Sequence, residues 1–424
     1  MPGPSRRDFL GWLGAVAAVP SDRFAAASSL GRAITTSARP FRVRTITAGI
    51  QLRDAVDLRP VEAAIATLER GKSDFAAAGY EVETLRVATS PFIAALSDRN
   101  RESALAQLQA FDSLAVAKGI AVSIGPVLVT DRADAALPAW AAELTRTTKN
   151  LSFSIVVASP ELGVHSQAAA TAAHTMVAVA KVTADGVANF RFAAAANILP
   201  GTPFFPVAYH RGPEAVAVGL ESASVVQEAF AAATNAHDAT DRLRSMLEVD
   251  LAPVGDLAAA FARRERRLYL GIDPSPAPAQ DRSIGAAIEA LTHVPFGSAS
   301  TLEACAAITT ALKTLQVKTC GYAGLMLPVL EDPILAQRAT EGRYGMRDLL
   351  LYSSVCGTGL DVVPVPGDTP AETVAGLIRD VAVLSRKLRK PLSARLLLVP
   401  GETAGEVAHF ADPRLTDCAV LRVD

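Results

Sequence analysis

The chain has 424 residues, half of them apolar and a fifth charged, with a formal net charge of −2. That composition suits a globular protein with a sizeable core. It excludes a nucleic-acid surface, which needs basic patches to neutralise phosphates.

The first 27 residues predict a twin-arginine export signal. Ser5-Arg6-Arg7-Asp8-Phe9-Leu10 leads into an apolar run over 9–19, followed by Pro20 and the small-residue stretch Phe24-Ala25-Ala26-Ala27-Ser28. The run has 11 residues, short of the ~20 a spanning helix needs, so no stable membrane span is expected. The expected address is periplasmic or secreted, with the twin-arginine translocase as a transient partner. The alternative is a cytoplasmic protein whose N-terminal tail carries Arg-Arg. Residues 28–42 read as a linker and 43–424 as one domain.

Strand and helix patterns then alternate almost to the end. Strands are predicted over 43–50, 82–88, 120–124, 152–157, 189–195, 215–219, 268–272, 360–365 and 394–399. Helices are predicted over 59–78, 101–118, 137–147, 166–182, 223–234, 240–266, 283–291, 301–315, 346–353 and 371–388. Glu331-Asp332 precedes Pro333 and a further helix; the paired acids could bind a cation, although a helix N-terminus favours acids in any case. Thr369, Pro370 and Glu372 have the spacing of a capping box. Arg263-Arg264-Glu265-Arg266-Arg267 reads as a solvated helix C-terminus.

This rhythm predicts an α/β fold with a largely parallel sheet. The strands are near-continuous apolar runs, as expected when both faces are covered. The number of units points to a closed or nearly closed barrel. Cys305, Cys320, Cys356 and Cys418 contain no CxxC pair, which argues against a structural zinc site. Cys305 and Cys418 read as small buried hydrophobes.

Ligands in parallel α/β folds sit beyond the carboxyl ends of strands. Thr89, Ser90, Ser159, Asn197, Asp273 and Ser275 follow predicted strands and are the first suspects. Asn197 ends an all-alanine run, where it is either a buried amide needing partners or a turn former. His210 sits in a Pro/Gly-rich loop as a general base, a metal ligand or a histidine bonded to backbone. His165 lies near a helix start that could share the same rim. Asp273 precedes Pro-Ser-Pro-Ala-Pro, a loop rigid enough to hold a carboxylate for a metal or substrate, or to be capped by it. Cys356 is flanked by Gly357 and Gly359, which permit close backbone approach, and Asp361 follows on the strand.

Several segments carry a family resemblance. They are Val43-Arg44-Thr45-Ile46-Thr47-Ala48-Gly49-Ile50, Pro203-Phe204 with Ala208-Tyr209-His210-Arg211-Gly212, and Ile272-Asp273-Pro274-Ser275-Pro276-Ala277-Pro278. The most specific are Cys356-Gly357-Thr358-Gly359-Leu360-Asp361 and Pro366-Gly367-Asp368-Thr369-Pro370-Ala371-Glu372-Thr373. Over roughly 43–410 the chain resembles the domain of unknown function 711 family. The resemblance implies a ten-stranded α/β barrel like that of glycyl radical enzymes. It does not imply their chemistry: the chain ends Cys418-Ala419-Val420-Leu421-Arg422-Val423-Asp424, without the glycine such a radical needs.

No dinucleotide fingerprint, P-loop, G-x-S-x-G or H-E-x-x-H stands in the chain, so NAD, ATP, esterase and zincin chemistry are not expected. The expected function is an exported enzyme acting on a small polar molecule, through acid–base chemistry or a divalent metal. Its expected catalytic rim is His210, Asp273, Asn197 and Asp361, with Cys356 as a further candidate. The alternative is a non-catalytic solute-binding or scaffold protein on the same barrel. The expected partner is a small-molecule ligand, with homo-oligomerisation left open.

Overall fold

The computed structural model describes residues 41–423. The export signal lies outside these residues, as does the linker up to residue 40. Arg42, placed in the linker by the sequence, is instead the first strand residue.

In chain order the elements are β1 (Arg42–Ile50), α1 (Arg59–Ala77), β2 (Val82–Thr89), α2 (Asp98–Ala117), β3 (Ile120–Leu128), α3 (Leu137–Thr147), β4 (Leu151–Ser159), β5 (Gly163–Val164), α4 (Ser166–Ala180) and β6 (Phe192–Ala196). They continue as β7 (Ala215–Glu221), α5 (Ala223–Ala231), α6 (Ala236–Arg264), β8 (Leu268–Asp273), α7 (Ile284–Thr292), α8 (Thr301–Lys313), α9 (Pro333–Thr340) and α10 (Met346–Tyr352). The last are β9 (Gly359–Pro366), α11 (Ala371–Leu388), β10 (Leu392–Val399), β11 (Val407–Ala408) and β12 (Cys418–Ala419). Local chemistry sets the boundaries. Asn235 caps α6 by accepting from the His237 and Asp238 amides, worth about 1 kcal/mol. The expected capping box at Thr369 does not form: Pro370 occupies the cap, and the Thr369 hydroxyl donates to the Pro366 carbonyl at 2.7 Å. That hydroxyl is committed to the preceding turn rather than to the helix.

β1 to β10 form one mixed sheet in the order β8-β7-β1-β2-β3-β4-β6-β10-β9, with β5 paired to β4. β1, β2, β3, β4 and β6 are mutually parallel, β7 and β8 are parallel, and so are β9 and β10. The blocks meet at two antiparallel seams, β1 with β7 and β6 with β10. The expected largely parallel sheet is therefore present.

The expected closure is not. β8 and β9 are the ends of the hydrogen-bonded order. A segment between α8 and α9 touches each by a single bridge, Thr319 to Ile272 and Pro328 to Asp361. Between those bridges the backbone is drawn into turns. Gly321 has φ 69°, and a Cβ there would lie 2.0 Å from the Asp273 carboxylate, so only glycine fits.

Alternation along the strands makes two different faces. On β4, Phe153, Ile155 and Val157 join the main core, and on β6 Phe192, Ala194 and Ala196 do the same. The intervening Ala193 and Ala195 instead belong to a small separate cluster with Phe204, Val207, Ala277, Tyr322 and Met326. One face is thus packed with helices, while the other is lined by small and polar side chains and partly filled by loops. Burial of Cys305, Cys356 and Cys418 as free thiols agrees with their reading as core residues for the first and last.

Candidate functional site

The inner face holds a cavity of about 240 Å3. Its strand residues include Arg44 of β1, Thr84 and Arg86 of β2, Ser152 of β4, Ala193 of β6, Asp361 of β9, and Ser393 with Arg395 of β10. Loop residues Phe204, Phe205, Pro206, Tyr322 and Glu331 complete the wall. On the central parallel block these side chains come from the beginnings of the strands. The cavity is therefore at the opposite end from the carboxyl-end rim expected from the sequence.

Arginines dominate it. Arg395 bonds Asp361 at 2.7 Å and Glu331 at 2.9 Å. Arg44 reaches Glu331 at 3.3 Å, and Glu83 and Glu221 each at 3.1 Å. Strand register explains the first pair. β10 pairs Ala394 with Leu360 and Leu396 with Val363, so β9 carries an extra residue opposite Arg395. That bulge puts Val362 at φ 48°, a costly conformation for a β-branched residue, directly after Asp361.

Arg86 differs from its neighbours. Its Nε donates to the Thr84 hydroxyl at 3.1 Å, and its guanidinium carbon lies 5.1 Å from the Phe205 ring centroid. It has no carboxylate partner among the described residues. Burial and the nearby Arg44 charge push it down to about 9, which still leaves it protonated at neutral pH. Arg191 is likewise without a carboxylate partner among those residues. It donates to the Thr148 hydroxyl at 3.0 Å and to the Thr145 and Leu151 carbonyls, and burial pushes it down to about 10.

Acid groups stand beside these cations. Burial raises the Asp361 carboxyl against the pull of Arg395, and the Glu331 charge adds to the rise. For Arg395, burial works against the charge, but Asp361 and Glu331 more than offset it and hold it above its usual value. The Tyr322 hydroxyl lies 2.9 Å from Ser393 Oγ, which in turn donates to the Thr358 carbonyl at 3.1 Å. With the serine proton so used, Tyr322 is the donor of the first bond.

Of the expected catalytic residues, only Asp361 lines this cavity, joined there by Glu331 of the acid pair before Pro333. Asp273 stands behind it, accepting from Ser275 N and Oγ at 3.1 and 2.6 Å, Tyr322 N at 2.8 Å and Ala323 N at 3.1 Å. It holds the loop that carries Tyr322, the capping role among its alternatives. His210 places Nε2 at 3.1 and 2.8 Å from the Gly212 and Pro213 carbonyls, so that nitrogen carries the proton. Its ring packs on Gly49, where a Cβ would come within 2.3 Å of Nδ1, and burial pushes its pKa down. His210 is therefore a backbone-bonded histidine away from the cavity. Asn197 lines a second cavity.

Cys356 is buried, its Sγ 3.4 Å from the Gly359 amide. Close approach at its glycines is real: a Cβ on Gly357 would meet Gly324 backbone at 2.6 Å. Ser90 bonds Leu52 backbone, Thr89 donates to the Ser90 carbonyl, and Ser159 and His165 bond each other at 3.1 Å. The expected rim thus does not assemble. Among the described residues no group of three or more His, Cys, Asp or Glu side chains is placed to hold a metal ion.

The residues missed by the sequence reading are Arg44, Arg86, Arg395 and Tyr322. A signal was available for the first three, since each arginine interrupts an apolar strand, where a charge is rarely buried without purpose.

A family model described as "Uncharacterised ACR (DUF711)" matches residues 35–411. A UPF0210 protein of Pyrobaculum islandicum is 31% identical over 349 residues, covering 78% of this chain and 76% of its own. Another, of Actinobacillus succinogenes, is 27% identical over 401 residues, covering 87% and 88%. A third, of Neisseria meningitidis serogroup C, is 28% identical over 403 residues with the same coverage.

Proposed function

On the premise that the chain belongs to the DUF711 family, we propose that it is an enzyme acting on a small anionic molecule by acid–base chemistry in the basic cavity. One observation carries this: Arg86 presents a charged guanidinium to the cavity with no carboxylate partner among the described residues. Glu331 and Glu83 act on this charge only from a distance, without bonding it, and a guanidinium holds carboxylate or phosphate oxygens by paired hydrogen bonds. The Phe205 ring packs against the guanidinium. Asp361 and Glu331, joined through Arg395, provide the proton-transfer groups, and Tyr322 provides a hydroxyl. The metal-assisted form of this reading has no ligand cluster among the described residues to support it.

The barrel likeness and the export address belong to the same reading. Ten strands in blocks of opposite direction, with one segment bridging to both edges, support a barrel-like enclosure. The Arg6-Arg7 leader supports export through the twin-arginine route, with a periplasmic or secreted product.

A second reading, a solute-binding protein without turnover, is favoured by a different observation. Asp361 and Glu331 both accept from Arg395, which occupies lone pairs that a base would use. Calorimetric titration of the full chain with a panel of small carboxylates and phosphate esters separates the outcomes. Binding that falls with Arg86→Met, and turnover that falls with Asp361→Asn while binding stays, supports the enzyme. Binding without turnover supports the solute-binding protein. No anion binding, or binding indifferent to Arg86→Met, overturns both.

A further inference from the structure

The basic cavity has a second chemistry beside its arginines. Along β6, Phe192-Ala193-Ala194-Ala195-Ala196 alternates between the two faces. Phe192, Ala194 and Ala196 join the main core, while Ala193 and Ala195 face inward. Their methyl groups are too small to fill that face. Phe204, Val207, Ala277, Tyr322 and Met326, brought in by loops, gather with them as a separate apolar cluster and are themselves buried. All of this cluster except Ala195 lines the basic cavity. The Tyr322 hydroxyl is turned to Ser393 Oγ at 2.9 Å, which leaves its ring to the apolar wall.

This wall adjoins Arg86. Thr47 of β1 is the strand partner of Arg86, and its hydroxyl donates to the Pro203 carbonyl at 3.2 Å. That bond fixes the start of the 203–207 loop beside Arg86. Phe204 and Phe205 follow on consecutive residues, about 3.8 Å apart at Cα. Their tasks differ: Phe204 joins the apolar cluster, while Phe205 lies against the Arg86 guanidinium. A cation and an apolar wall thus meet at one short loop, within reach of one small molecule. The cavity volume, about 240 Å3, is just below the roughly 300–1,000 Å3 usual for drug-sized ligands, so the occupant is small.

The other cations limit the charge of that occupant. Arg44 is bonded to Glu83, Glu221 and Glu331, Arg395 to Glu331 and Asp361, and Arg414 to Asp412. Arg191 is committed to the Thr148 hydroxyl and the Thr145 and Leu151 carbonyls. Lys149 is exposed, where water weakens its pull. Arg86 keeps both Nη groups without a hydrogen-bond partner among the described residues. One fork is therefore open to one anionic group, and a second would require an existing ion pair to break.

We propose that the ligand of this cavity is a monocarboxylate with an apolar body, aryl or branched alkyl, its carboxylate held by Arg86 and its body seated against Phe204, Val207 and Met326. This rests on the reading of the cavity as an anion site and names the substrate class for it.

The test is titration of the full chain with phenylacetate, acetate, succinate and benzyl alcohol, by calorimetry and by competition NMR for the weak ligands. Phenylacetate is expected to bind at least tenfold more tightly than acetate or succinate, from burial of its ring, and at least tenfold more tightly than benzyl alcohol, which lacks the charge. Arg86→Met should weaken phenylacetate at least tenfold. Met326→Gln keeps the side-chain length but puts an amide in the apolar wall, and should narrow the phenylacetate-to-acetate ratio severalfold, with Met326→Leu restoring it. Urea denaturation confirms that each variant is folded. If acetate or succinate matches phenylacetate and all depend on Arg86, the anion site stands and this inference is overturned. It is also overturned if folded Met326→Gln keeps the full preference for phenylacetate. If no carboxylate binds, if benzyl alcohol matches phenylacetate, or if phenylacetate is indifferent to Arg86→Met, the anion site itself fails and this inference with it.

Discussion

The guanidinium of Arg86 lies over the ring of Phe205, 5.1 Å from its centroid, and its Nε is tied to the Thr84 hydroxyl. This pair orients a cation toward the cavity before any ligand arrives, which reduces the ordering cost of binding.

Arg86→Met keeps the length and apolar contact of the side chain while removing its charge. A charge-assisted hydrogen bond is worth about 1.5–3 kcal/mol, so affinity for an anionic ligand should fall roughly ten- to a hundredfold. Arg86→Lys should recover only part of that, because an ammonium lacks the planar fork. Folding stability should drop by no more than about 1 kcal/mol, since one neutral hydrogen bond and one ring contact are lost. Calorimetry and urea denaturation on the three proteins check both statements.

Arg395 is a different case, because it compensates two acids, Asp361 and Glu331. Removing it leaves Asp361 without its ion-pair partner, while Glu331 keeps Arg44 at 3.3 Å; breaking such a buried pair costs about 3–5 kcal/mol. Arg395→Met should therefore shift the urea midpoint strongly downward. Adding Asp361→Leu should restore a good part of the loss by removing the stranded acid. A midpoint unchanged in the single variant would show that Asp361 needs no counter-charge.

How far the sequence foretold this can be traced residue by residue. Period and apolar runs suffice for β1, α3 and α11, whose faces repeat over many residues. β5, β11 and β12 have two residues each, too short to carry any period. That the sheet stays open between β8 and β9, with the segment 319–328 touching each edge by a single bridge, is something no local pattern encodes. At the candidate site, the backbone partners of His210 lie two and three residues away, so its structural role was legible among the alternatives. Asp361 was legible as a polar interruption of a strand, but its partner Arg395 became visible only through the β9 bulge. Glu331 and Asp332 were read together as acids at a helix start. Asp332 does cap α9, whereas Glu331 turns to the cavity. Adjacent residues with opposite destinations cannot be separated without the fold.

The export reading predicts that substituting Lys-Lys for Arg6-Arg7 keeps the protein in the cytoplasm at full length. The unaltered chain, recovered from the periplasm, should begin near Ser28. Fractionation with N-terminal sequencing decides it. An intact N-terminus on cytoplasmic protein, in both cases, would remove the export proposal and leave the alternative address.

The remaining prediction concerns the acid pair at the start of the sheet. Glu83 of β2 and the buried Glu221 of β7 flank β1, whose Arg42 and Arg44 both contact the two carboxylates. Burial, together with a bond shared with Glu221, pushes the Glu83 carboxyl up to about 7, from an ordinary value of 4.5. A raised carboxyl means that the folded chain holds a proton that the unfolded chain has already released. Folding is therefore favoured by this group below the unfolded value, and the contribution is lost as pH rises from about 4.5 through about 7. Glu83→Gln mimics the protonated form at every pH and should abolish that slope. Urea denaturation of both proteins between pH 5 and pH 8 should show the variant gaining on the parent as pH rises, with the difference levelling off above about 7. A constant difference across that window would mean that Glu83 stays ionised throughout, held by Arg42 and Arg44 despite its burial.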